Sequence, residues 1–211
     1  PVVYKYNDAV KGEIYQPFEI LPAVSAKFRE KVLIFANGEH KEDPVIITSG
    51  KDNVSGEITL QTSENWKIEP VTTGFSIAKK GASASVLFRV TPPEDQSEAI
   101  LTPILKMGGE SFSSEVVKID YDHIPLQTVV LPAGTKVVKL DIRKNGQDIG
   151  YIEGAGDVIP ESLEQIGYNV TRISSGSVTA ASLAKYDAVV LGIRAYNIEE
   201  DLKYSQPALL E

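Results

Sequence analysis

Two short stretches concentrate groups able to hold a polar ligand. Glu153-Gly154-Ala155-Gly156-Asp157 stands where an apolar run, 149–152, gives way to a helix-like pattern. Backbone N–H groups at such a turn can cradle an anion, and glycine permits close approach. The third glycine of a dinucleotide-binding G-x-G-x-x-G is replaced by Ile159. The same residues suit a structural role, with the glycines making the turn and Asp157 capping the helix for about 1 kcal/mol. Arg194-Ala195-Tyr196-Asn197 follows another apolar run, 188–191. A guanidinium there can grip a carboxylate or a sugar oxygen in a planar fork. It equally suits an interface or a surface ion pair.

Other residues offer less. His40 lies in a charged turn, and His123 follows Asp120 and Asp122 in a polar linker. Two histidines so far apart do not make a metal site. Trp66 is either a sugar-stacking platform or a core aromatic. Cysteine is absent, which excludes disulfides, thiolate ligands and thiol nucleophiles from this sequence. No catalytic residue, metal ligand or cofactor is therefore assigned. Asn53 and Asn169 begin glycosylation sequons, a short pattern that by itself assigns no function.

The elements that position these residues fall into two patterns. From about residue 18 to 121, short β-like runs alternate with turn chemistry. They are 24–28, 32–35, 45–48, 57–61, 66–69, 83–90, 100–107 and 113–121, separated by Asn37-Gly38, Lys80-Gly81, Pro92-Pro93 and Gly108-Gly109. Such spacing predicts an immunoglobulin-like β-sandwich over 1–125, able to fold alone. Residues 126–145 read as a connecting segment, with a possible strand at 137–142. From 146 to 211 the rhythm becomes β-α-β-α-β. Strands are expected at 149–152, 169–173 and 188–191, with helices near 159–166 and 179–185. A parallel sheet of order 2-1-3 would bring Glu153, Gly154, Gly156, Asp157, Arg194, Tyr196 and Asn197 to one rim, suited to a hydroxyl-rich ligand. Three strands make only the first part of a truncated α/β three-layer domain of flavodoxin-like type.

Composition is that of a globular protein, 42% hydrophobic and 24% charged. The net charge of -8 repels phosphate backbones, so nucleic acid is not an expected partner. No run approaches the roughly 18 apolar residues of a membrane span. The only methionine is Met107, and a helix-like pattern in 199–211 stops without a terminating Gly or Asn, so a piece of a larger protein is expected.

Residues 151–168, with Glu153, Gly154, Gly156 and Asp157, and residues 186–197, with Arg194, Tyr196 and Asn197, resemble the C-terminal region of large LmbE/PIG-L-family deacetylases of Bacteroidetes type. Residues 4–7 and 12–17 look like the middle segment of the same proteins. The resemblance implies a zinc-dependent N-acetylglucosamine-type deacetylase domain upstream, then a sandwich, then a class I glutamine amidotransferase-like domain. The family's His-Pro-Asp-Asp-Glu-like run is missing here, so zinc is expected only in the upstream domain.

Three functions follow as expectations. The first is a non-catalytic accessory region that positions the deacetylase, its partner in the same polypeptide, or binds its substrate. The second is a carbohydrate-binding module. The third is an α/β enzyme whose site is completed beyond residue 211. The resemblance places the protein in the periplasm or outside the cell.

Overall fold

The computed structural model describes residues 2–10, 12–62, 65–121, 123–124 and 126–210. Strands dominate it. In chain order they are β1 Val3–Asp8, β2 Gly12–Pro17, β3 Val24–Phe28, β4 Val32–Phe35, β5 Lys41–Ser49 and β6 Val54–Gln61. Next come β7 Lys67–Glu69, β8 Thr73–Ile77, β9 Ser83–Thr91, β10 Ser97–Met107, β11 Glu110–Phe112 and β12 Ser114–Ile119. The series ends with β13 Gln127–Pro132, β14 Thr135–Lys139, β15 Asp148–Ile152, β16 Asn169–Ile173 and β17 Ala188–Leu191. Among the described residues four α-helices lie between the last strands or after them: α1 Ile159–Gln165, α2 Ala180–Leu183, α3 Ala195–Ile198 and α4 Leu202–Leu210, with a short 3-10 turn at Ser175–Ser177. The chain divides into two compact units, residues 1–33 with 39–137 and residues 34–38 with 138–211.

The first unit is a β-sandwich, compatible with the immunoglobulin-like type. One sheet has the order β3-β5-β9-β7, and the other runs β4-β14-β10-β6-β8 with β11 added beside β10. Alternation places Val24, Ala26 and Phe28 of β3, Val45 and Ile47 of β5, and Phe88 and Val90 of β9 in the core. Val54 and Ile58 of β6, Phe75 and Ile77 of β8, and Leu101 and Leu105 of β10 are buried likewise. Gly56 lets β10 approach β6, because a Cβ there would lie 2.3 Å from the Lys106 carbonyl oxygen.

The strands depart from the sequence reading in three places. Residues 3–8 and 12–17, outside the runs read as strands, pair as an antiparallel hairpin. Neither β8 nor the short β11 falls in a run read from the sequence. Most of the expected connecting segment, 126–145, is strand: β13 pairs with β12, and β14 lies between β4 and β10 in the sandwich sheet. Val137 of β14 is fully buried, which is why the chain must pair there.

In the second unit β15 lies between β16 and β17, and all three strands are parallel. Central β15 is buried over Ile149–Ile152, as a strand covered on both faces must be. Helix α1 follows β15 and ends at Gly167, whose φ of +93° places it in the left-handed region. Helix α2 follows β16 and opens on a capping box, with the Ser182 amide donating to Thr179 Oγ1 at 3.1 Å and the Thr179 amide to Ser182 Oγ at 2.9 Å. Ile152, Val178, Ala195 and Leu202 form a buried cluster. No helix among the described residues is long and apolar enough to cross a membrane.

Candidate functional site

Ile152 is in register with Ile173 of β16 and Leu191 of β17, so the three strands end together. Glu153, Ser174 and Gly192 are the first residues beyond that edge. Open parallel sheets hold their ligands at such an edge.

Between β15 and β17 the edge is closed by the chain itself. The Gly192 amide donates to the Ile152 carbonyl at 2.8 Å, and the Ala155 amide to the Ile193 carbonyl at 2.7 Å. The Ile193 amide in turn donates to Asp157 Oδ2 at 2.9 Å. The other oxygen of Asp157 accepts from the Tyr151 hydroxyl at 2.7 Å and the Ile159 amide at 3.0 Å. These donors, Ile193 foremost, hold the Asp157 carboxyl below its usual range against the opposing effect of desolvation. Tyr151, only 2% exposed, is pushed up to about 12 by burial first, then by its bond to Asp157 and the charges of Asp157, Glu153 and Glu161. It remains a donor at neutral pH.

The glycines serve this closure. A Cβ on Gly154 would lie 2.2 Å from the Ile193 carbonyl oxygen, and one on Gly192 would lie 2.5 Å from the Tyr151 hydroxyl oxygen. Gly156 has φ +96° with open space beside it. The amide of Ala155, in the middle of the expected anion cradle, is occupied by Ile193. Asp157 does bond the first helical amide, so the structural reading of Glu153–Asp157 accounts for its geometry.

The residues expected to share one rim divide. Arg194 precedes α3 with φ +58° in the left-handed region, and is exposed. Tyr196 and Asn197 lie within α3, both exposed. Among the described residues no ion pair joins Arg194 to Glu153. The arginine that meets Glu153 is Arg172 of β16, with Nε 3.2 Å from Glu153 Oε1. Arg172 also reaches Glu161 at 2.7 Å and Glu164 at 4.0 Å on α1. Thus Glu153 faces the β16 side of the sheet.

There a cleft of 330 Å³ is lined by Ile152, Glu153, Arg172, Ile173, Ser174, Ser175 and Glu199. Ser175 is buried, and its hydroxyl donates to Glu199 Oε2. Arg172, Ser174, Ser175 and Glu199 were not singled out from the sequence. The order 2-1-3 contained the clue, because it makes the end of the second strand as close a neighbour of Glu153 as the end of the third.

Elsewhere, Trp66 is a core side chain with 6% exposure, which removes it as a sugar-stacking platform. His40 and His123 are exposed. Among the described residues no three His, Cys, Asp or Glu side chains are grouped to hold a metal, so they do not fit a zinc centre.

No protein-family model and no curated protein matches this chain. Among solved structures, it is similar to WR4, an MSP family member of C. elegans, with 11% identity, 55% of this chain and 97% of that one covered, and a TM-score of 0.31. It is also similar to a family 123 glycoside hydrolase from Clostridium perfringens, with 9% identity, coverage of 62% and 30%, and a TM-score of 0.33. Alpha-2-macroglobulin of E. coli gives 11% identity, coverage of 61% and 7%, and a TM-score of 0.37. The chain thus spans under a third of the glycoside hydrolase and of the macroglobulin. Likenesses this weak carry no functional argument.

Proposed function

We propose that this chain is a non-catalytic accessory region of a larger carbohydrate-active deacetylase of the LmbE/PIG-L type. In this reading its sandwich is followed by the first part of an amidotransferase-like α/β domain, and the two position the enzyme or its substrate. The observation that carries the proposal is the closed edge between β15 and β17. The Asp157 carboxylate, the Ala155 and Gly192 amides and the close-packed glycines serve one another there, so the ordinary ligand crevice is spent on structure. The two histidines are exposed and distant in sequence. A zinc centre would accordingly be supplied by the upstream domain, in a periplasmic or exported protein.

The test is to incubate the pure chain with Zn²⁺ and N-acetylglucosamine derivatives, then repeat with the zinc domain joined to it. The reading expects turnover only in the second case. Metal-dependent deacetylation by the chain alone would overturn it.

A further inference from the structure

Independently of that reading, we infer that the cleft between the carboxyl ends of β15 and β16 binds a small protonated amine that also carries hydroxyl groups. Its 330 Å³ lies at the low end of ligand pockets, enough for a single sugar-sized ring. The sign of its charge selects the class. Among the described residues Arg172 is the only cation lining the cleft, and its guanidinium is already shared by Glu153, Glu161 and Glu164. Glu199 adds a second carboxylate to the lining beside Glu153, while Glu161 and Glu164 also draw on the single guanidinium, so the cleft is negative on balance. A carboxylate or phosphate ligand would enter against that field, whereas an ammonium is drawn in by it.

The rest of the lining suits the carbon and hydroxyl parts of such a ligand. Ile152 and Ile173 supply apolar surface for a carbon skeleton. Ser174 and Ser175 supply hydroxyls, and Ser175 fixes Glu199 by its hydrogen bond. The guanidinium of Arg172 therefore tempers the negative field of the cleft and does not itself seize an anion.

The experiment titrates the full chain, ¹⁵N-labelled, with D-glucosamine, D-glucose and D-glucuronate at neutral pH. Glucosamine is expected to shift the amides of Glu153, Ser174, Ser175 and Glu199 saturably, glucose at least tenfold more weakly, and glucuronate not at all. Glucosamine binding should fall as pH rises through the pKa of its own amine. Glu153→Gln, at an exposed position, should weaken it about tenfold, as should Glu199→Gln if that variant keeps its amide spectrum. Arg172→Gln separates the proposal from its opposite, since removing a cation from the lining should tighten glucosamine binding, whereas an anion site would lose its ligand. Glucuronate bound as well as glucosamine, abolition by Arg172→Gln, or no saturable shift with any sugar would overturn the assignment. None of these outcomes bears on deacetylation by the chain.

Discussion

The hydroxyl of Tyr151 and the carboxylate of Asp157 stand 2.7 Å apart, a buried donor in β15 holding an acceptor in the loop that follows. The same carboxylate accepts the Ile193 amide from the loop after β17. One side chain thereby fixes both loops to the central strand. Asp157→Asn should loosen them, because an amide nitrogen would then face one of three donors. Faster hydrogen exchange at Ile193 in the variant is the expected outcome, and unchanged exchange would contradict it.

That contact has a pH signature. The Asp157 carboxyl lies below its ordinary 3.8, chiefly through the Ile193 amide and the Tyr151 hydroxyl. A depressed acid stabilises the fold above its unfolded value, and the contribution disappears as pH falls through the folded value. The stability difference between the wild type and Asp157→Asn should therefore persist at neutral pH and shrink below 3.8. Thermal melts of both proteins across the acid range would show it.

Three glycine substitutions separate contact from conformation. Gly154→Ala puts a methyl group 2.2 Å from a backbone oxygen, an overpacking expected to cost about 1–3 kcal/mol or more. Gly156→Ala meets no neighbour but holds φ at +96°, for roughly 1–2 kcal/mol. Gly38→Ala has neither problem and should stay within about 0.5 kcal/mol. Denaturant titration should rank them in that order.

The sandwich needs β14. A chain ended at residue 125 would lose the strand between β4 and β10 together with the buried Val137 and Thr135. It would also leave both flanking strands with unpaired backbone. Loss of cooperative thermal unfolding is expected, in contrast to the self-sufficient 1–125 unit that the strand spacing suggested. A sharp two-state melt of the shortened chain would show β14 to be dispensable.

How much was legible follows from which signals are local. Phe28, Val45, Ile47, Phe88 and Leu101 lie in short β-like runs bounded by turn residues, and all are buried. Strands β16 and β17 lie at 169–173 and 188–191, where short apolar runs bounded by Gly, Asn and Asp pointed to them. β14 was read only in part, as a possible strand at 137–142 inside a connecting segment, because Pro132 and Gly134 break the run; it begins at Thr135 and joins the sandwich sheet between β4 and β10. Arg172 was passed over for another reason. Nothing local distinguishes an arginine in a strand, and its importance comes from three glutamates supplied by the loop after β15 and by α1.

Asp43 provides the last prediction. It sits in β5 at 3% exposure, and its Oδ2 has no hydrogen-bond partner among the described residues. Burial, reinforced by the charge of Glu30 and partly offset by Arg29, raises its carboxyl from 3.8 to about 6. A raised acid binds its proton more tightly in the folded state, so folding is favoured while Asp43 is neutral. Stability then falls as pH rises from 3.8 to about 6, and the penalty is constant above that range. Asp43→Asn keeps the size and removes the charge. It should stabilise the protein by about 1–2 kcal/mol at neutral pH, less than the full shift because a buried amide also wants partners. Near pH 3.5 the two proteins should melt together. Other carboxylates titrate over the same range, so the quantity to follow is the difference in melting temperature between variant and wild type. Glu30→Gln should narrow that difference by relieving part of the repulsion. A variant less stable than the wild type at neutral pH would mean that the ionised Asp43 is held by partners worth more than its burial costs.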